Sequence, residues 1–114
     1  MNEIERTSPN SARTTATHEH EPGTVLDATE RAISSLPRWT LEERDETSLH
    51  TVRATSLLRF KDDINATVEP DDTPGWTRLK LTSASRIGKG DLGQNPRNLR
   101  ELLDALDREL STRS

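Results

Sequence analysis

Five leucines near the end of the chain, Leu99, Leu102, Leu103, Leu106 and Leu110, recur at the spacing of one helical face. A stripe this regular reads as an amphipathic helix that must bury one side. Asn95 stands where an N-cap is wanted, and Pro96 at the first helical position. One helix cannot cover its own stripe, so the rest of the chain has to supply an apolar surface to receive it.

The preceding residues supply that surface as strands. Arg38–Glu46, Leu49–Leu58, Asp62–Glu69 and Trp76–Ser85 each alternate between apolar and polar residues. Trp39 and Leu41 share one phase, Ile64, Ala66 and Val68 another, and Leu79 and Leu81 a third. In Leu49–Leu58 the apolar phase is assigned to His50, Val52 and Ala54, against Thr51, Arg53 and Thr55. The turn-rich run Pro70-Asp71-Asp72-Thr73-Pro74-Gly75 separates the last two strands. Ahead of them, Thr24–Leu36 reads as a helix with Val25, Ala28, Ala32, Ile33 and Leu36 on one face. Thr24 and Asp27 form a capping-box-like start, and Pro37 ends it. The order α-β-β-β-β-α, with short connections, predicts an α+β fold. It is a two-layer sandwich in which a four-stranded antiparallel meander carries an N-terminal and a C-terminal helix on one face.

Apolar residues are unevenly spread. Residues 1–22 hold little to bury besides Met1, Ile4 and a few alanines. So few apolar groups do not offset the entropy of ordering a chain, and residues 1–22 are expected to be a disordered polar leader, dispensable for folding. Residues 23–114 are then a single α+β domain with a modest core, in a chain that is 29% hydrophobic and 32% charged. The net charge of −4 gives no bulk attraction to nucleic acid or anionic membrane. The absence of cysteine removes disulfides, thiolate zinc sites and cysteine nucleophiles. No basic and apolar leader of the secretory type is present, and no stretch approaches the ~20 apolar residues of a membrane span. The expectation is a cytoplasmic monomer or weak homo-oligomer, with no cofactor and with neither nucleic acid nor membrane as partner.

Two motifs fail on context. Gly88-Lys89-Gly90-Asp91-Leu92-Gly93 spells G-x-G-x-x-G, but a dinucleotide site needs a parallel strand after the helix, and here the helix ends the chain. Asp91 would also put a carboxylate where a pyrophosphate should lie. Lys89 is not followed by Ser or Thr, so a P-loop fails too. His18, Glu19 and His20 sit in the leader, where no rigid ligand set is expected, and no metal site is assigned. His50 reads as a satisfied, partly buried imidazole rather than a catalytic base.

One polar constellation remains. Arg59, Asp62 and Asp63 lie where the second strand joins the third. Ser83, Ser85, Arg86, Lys89, Asp91 and Asn95 lie at and beyond the end of the fourth. If the third and fourth strands pair as a hairpin, Asp62 and Asp63 come to face Ser85 and Arg86. Charge-assisted hydrogen bonds there would lock the following loop onto the sheet, or the same groups would line a ligand cleft. Arg86 is expected to pair with Asp62 or Asp63.

These residues also carry a resemblance. Phe60-Lys61-Asp62-Asp63, then Ser83-Ala84-Ser85-Arg86-Ile87-Gly88, then Asp91-Leu92-Gly93-Gln94-Asn95 resembles the signature order of the domain of unknown function 1499 family. That pattern runs Phe-x-Asp-Asp, Ser-x-Ser-Arg-x-Gly and Asp-x-Gly-x-Asn into a leucine-bearing helix. It covers about Thr24 to Leu110 and is strongest over Ser83 to Asn95. Gly90 departs from the pattern, and Asn65 and Ala66 make the stretch after Asp63 less charged than is usual in the family. The resemblance supports the fold and implies no activity. The function expected is a non-enzymatic small-ligand or protein-binding accessory module, with Asp62, Asp63, Ser83, Ser85, Arg86, Asp91 and Asn95 as binding residues. The alternative is a small hydrolase-like enzyme in which Asp62 or Asp63 acts as general base and Arg86 holds an anion.

Overall fold

The computed structural model describes residues 3–54, 60–86 and 93–111. Six strands and two helices follow in the order β1 (Ile4–Ser8), β2 (Ser11–His18), α1 (Pro22–Ser35), β3 (Trp39–Arg44), β4 (Ser48–Ala54), β5 (Lys61–Pro70), β6 (Thr77–Ser85) and α2 (Gln94–Ser111). All six strands form one antiparallel sheet in the order β1-β2-β6-β5-β4-β3. The α+β class and the meander from β3 to β6 match the sequence reading. The number of strands does not.

The two extra strands lie in the segment expected to be a disordered leader. β2 pairs with β6 over eight residues, from Ser11 opposite Ala84 to His18 opposite Thr77. β1 folds back on β2 through a turn at Pro9-Asn10. Ala12, Thr14 and Ala16 point toward the helices and are buried. Counting large apolar residues missed them because the inward positions are small. Thr also suits a strand, and Ala lets a helix lie close. The segment from Ile4 to His18 is therefore part of the sheet and not a disordered leader.

Both helices pack on one face of the sheet and on each other. α1 buries Val25, Leu26, Ala28, Thr29, Ala32 and Ile33, while α2 buries all five leucines of the stripe. They close over Ile64, Ala66, Val68, Leu79 and Leu81. Arg44 of β3 grips both Asp27 and Glu30 of α1 at 2.6 Å, and Arg31 of α1 reaches Glu109 of α2 at 3.1 Å. Glu101 of α2 accepts from Trp39 Nε1 of β3 at 2.7 Å and from Arg53 Nε of β4 at 3.1 Å.

Three local expectations are corrected. α1 starts at Pro22 after Glu21, so Thr24 and Asp27 make no capping box; the start has no side-chain cap, and Pro22 simply lacks one of the N–H groups a cap would satisfy. α2 starts at Gln94, which places Asn95 inside the first turn rather than at the N-cap. The bond from Arg97 N to Gly93 O opens the helix, with Gly93 at φ +80°. In β4 the helix-facing phase is Leu49, Thr51 and Arg53, whose partners are Ala66, Ile64 and Asp62, so His50 and Val52 lie on the opposite face. Period two misled here because Arg53, a charged residue, has a partner on the helix side.

Leu103 is 2% exposed. Leu103→Ala is expected to cost about 2–5 kcal/mol, read by urea unfolding, through lost burial and the cavity left behind. An unchanged midpoint would contradict the burial of the stripe.

Candidate functional site

Successive residues of a strand leave the sheet on opposite faces, and that rule divides the polar constellation in two. Asp62 opposes Ser85 and Asp63 opposes Ala84, so β5 and β6 do bring the two segments together. Asp62, Ser83 and Ser85 share the phase of Ile64 and Leu81 and point toward the helices. Asp63 points to the face that no described helix covers, as does Arg86.

On the helix side lies a buried chain of hydrogen bonds. Asn98 Nδ2 donates to Asp62 Oδ2 at 2.8 Å and to Ser83 Oγ at 3.2 Å. Ser83 Oγ donates to Asn95 Oδ1. Asn95 Nδ2 in turn donates to Ser85 Oγ at 2.9 Å and to the Asn10 carbonyl at 2.7 Å. Gln94 Nε2 completes the set by donating to Asn98 Oδ1 at 2.7 Å. Asn95, Asn98 and Ser83 are fully buried and Asp62 is 2% exposed. The Asn10 carbonyl also takes the backbone N–H of Ser85 at 2.9 Å. The first turn of α2 is thereby pinned to the end of β5 and β6 and to the β1–β2 turn. Such a network is worth having only when its members are paired, and here both hydrogens of the Asn95 amide and both of the Asn98 amide have acceptors.

On the open side Arg86 makes a bidentate pair with Asp63, Nε to Oδ2 at 2.9 Å and Nη2 to Oδ1 at 3.0 Å. His50 Nε2 lies 2.7 Å from Asp63 Oδ1. The hydrogen bonds from Arg86 hold the Asp63 carboxyl below the usual carboxylate range. Partial burial opposes this, and the bond with His50 adds to it. An ionised carboxylate only accepts, so Nε2 is the nitrogen of His50 that carries the hydrogen. The Arg86 guanidinium is pushed up by its bonds to Asp63 and further by the charges of Asp63 and Glu42. A bulge between Leu41 and Glu43 makes Glu42 the extra residue opposite this part of β4. The cluster is solvated, with the Arg86 side chain 42% exposed and that of Asp63 28%.

Of the seven residues expected to bind, Asp62, Ser83, Ser85 and Asn95 meet in the buried network, and Asp63 and Arg86 meet on the open face. Asp91 lies outside the described residues, as do Arg59 and Lys89 and the loop Arg86 was expected to tie down. Arg86 takes Asp63 and not Asp62. Because the two aspartates leave the sheet on opposite faces, they share no reacting centre, and of the two it is Asp63 that stands beside Arg86. Sequence reasoning missed Asn98 and Asn10. Asn98 was detectable: it lies three residues after Asn95 and next to Leu99, on the buried side of the helix. Asn10 contributes only its carbonyl, which leaves no signal in residue type. Among the described residues, no three His, Cys, Asp or Glu side chains gather closely enough to hold a metal ion. No described helix is long and apolar enough to cross a membrane.

Two solved structures share the architecture. One is TTHA0849 from Thermus thermophilus, 12% identical, with a TM-score of 0.50 over 91% of this chain and 99% of that one. The other is CalU16 from Micromonospora echinospora, also 12% identical, with a TM-score of 0.55 over 97% of this chain and 85% of its own. At that identity the likeness concerns the fold alone. Comparison with curated protein sequences finds no match. The profile of the DUF1499 family, proteins of unknown function, matches residues 2–106 and so takes in the β1–β2 hairpin as well as the signature segments. With Asp62, Asp63, Ser83, Ser85, Arg86 and Asn95 of that signature gathered at one end of the sheet, the chain belongs to the DUF1499 family.

Proposed function

We propose that the chain is a non-enzymatic binding module whose uncovered sheet face, around Arg86, Asp63 and His50, meets a small ligand or a protein partner. The division of the signature residues carries this reading. Asp62, Ser83, Ser85 and Asn95 are consumed in holding α2, whereas Asp63 and Arg86 stand with His50 on the side that no described helix covers. A guanidinium–carboxylate pair on a solvated face adds little to stability, so recognition accounts for these residue types better than folding does. A shallow groove of about 430 Å³, bordered by Glu43, His50, Asn65 and Thr67, runs beside them. The module is taken to work in the cytoplasm without a cofactor, as a monomer or weak homo-oligomer. Its charge of −4 disfavours polyanionic partners such as nucleic acid or an anionic membrane.

The test is an amide NMR titration of the labelled chain with a panel of small carboxylates, phosphates and short charged peptides. Shifts should cluster on His50, Asp63, Asn65 and Arg86, and should disappear in Arg86→Ala while that variant keeps nearly the parent melting temperature. Shifts centred elsewhere, or ester hydrolysis abolished by Asp63→Asn, would overturn the reading.

A further inference from the structure

At the other end of β6 a different group stands out. His18 closes β2 opposite Thr77, against the C-terminal turn of α2. Its Nε2 is buried and has no hydrogen-bond partner among the described residues. The surrounding groove is bordered by Glu19, His20, Trp76, Asp107 and Leu110. This is the joint where β2 turns into α1: His20 N donates to the His18 carbonyl at 2.9 Å, and Thr77 Oγ1 donates to the His20 carbonyl at 2.6 Å. A neutral imidazole can leave a ring nitrogen unpaired at modest cost. A protonated one cannot, because both nitrogens become donors and the charge is cut off from water.

We propose that His18 is an acid-sensitive latch: neutral, it stays packed between β2 and the end of α2, and protonated, it swings outward to Asp107 and loosens the joint between β2, α1 and α2. The charged and titratable groups that face it are Asp107 from α2 and Glu19 and His20 from its own segment; Trp76 and Thr77, before and at the start of β6, bring none. Burial lowers the His18 titration below the usual imidazole range, Asp107 pulls it up, and His20 pulls it down. The sign follows. Stability from the neutral form is full above the ordinary imidazole value and is lost as pH falls through that value to the lowered one of the folded chain. Asp107, across the same groove, is the acceptor the outgoing imidazolium meets. Asp107 lies just before the last turn of α2, so the carbonyl end of the helix also attracts the cation.

The experiment is an imidazole proton NMR titration of the full chain, combined with amide hydrogen exchange. His18 should titrate below the ordinary imidazole range. Exchange at Thr17 to Glu21 and Asp107 to Ser111, corrected for intrinsic rates, should quicken by roughly fivefold or more through the His18 midpoint, with β5 unchanged. Asp107→Asn, an exposed substitution, should move that midpoint lower, and His18→Gln should make exchange at the joint independent of pH. An ordinary His18 midpoint, pH-independent exchange in the parent chain, or a midpoint untouched by Asp107→Asn would each overturn the latch.

Discussion

A chain that begins at Glu21 is expected not to fold cooperatively. Cutting there removes β1 and β2, and with them the neighbour that β6 pairs with from Thr77 to Ala84. Leu81 and Leu79 lose their cross-strand partners Thr14 and Ala16, and the side of α2 that packs on β1 and β2 opens to water. Fully uncovering one leucine costs about 1.5–3 kcal/mol. Partial exposure of several side chains thus amounts to a loss on the order of the 5–15 kcal/mol that stabilises a typical domain. The shortened chain also lacks the Asn10 carbonyl that Asn95 and Ser85 use. Circular dichroism on heating and amide dispersion by NMR measure the outcome. A sharp transition at the parent temperature would mean that the hairpin is an ornament and that the sheet ends at β6.

The same hairpin shows how far sequence reasoning reaches. The stripe from Leu99 to Leu110 and the alternation in β5 and β6 are legible because large apolar side chains mark them, and all of these are buried as expected. In β2 the inward residues are Ala12, Thr14 and Ala16, whose contribution comes from fit beneath a helix and from strand propensity. Neither registers in a hydrophobicity count. The usable signal was Pro9-Asn10 between two Thr-bearing segments, a turn that predicts a hairpin. The candidate site was legible to the level of register: the pairing of β5 with β6 follows from the short turn between them. Which aspartate faces which way was not, because a single-residue choice of phase moves every side chain to the other face. The clue was Ile64, two residues after Asp62, which commits Asp62 to the helix side. In β4 the same logic failed, because Thr51 and Arg53 are held on the helix side by specific bonds, Thr51 to the Thr40 carbonyl and Arg53 to Glu101.

Asn95→Ala is expected to destabilise the domain by about 3 kcal/mol or more. Each buried polar group left without a partner costs roughly 1–3 kcal/mol, and the Asn95 side chain bonds to Ser83, Ser85 and the Asn10 carbonyl. Ser83 Oγ loses its acceptor, Ser85 Oγ loses a donor, and the Asn10 carbonyl loses one of its donors while keeping the backbone N–H of Ser85. In a domain near this size the melting temperature should fall by more than about 10 °C. Asn95→Asp should be at least as harmful. A carboxylate can still accept from Ser83, but it cannot donate, and it would set an oxygen against the Asn10 carbonyl. Asn65→Ala, on the exposed side of β5, serves as the control and should change little. The pair of results distinguishes a structural network from a binding site, because residues kept for binding commonly leave stability unchanged or improved when replaced. A stable Asn95→Ala would return Asp62, Ser83, Ser85 and Asn95 to the binding surface and dissolve the division between faces on which the proposed function rests. A large loss, with the Arg86→Ala variant still near the parent melting temperature, places folding on the helix side of the sheet and leaves the open side free for recognition.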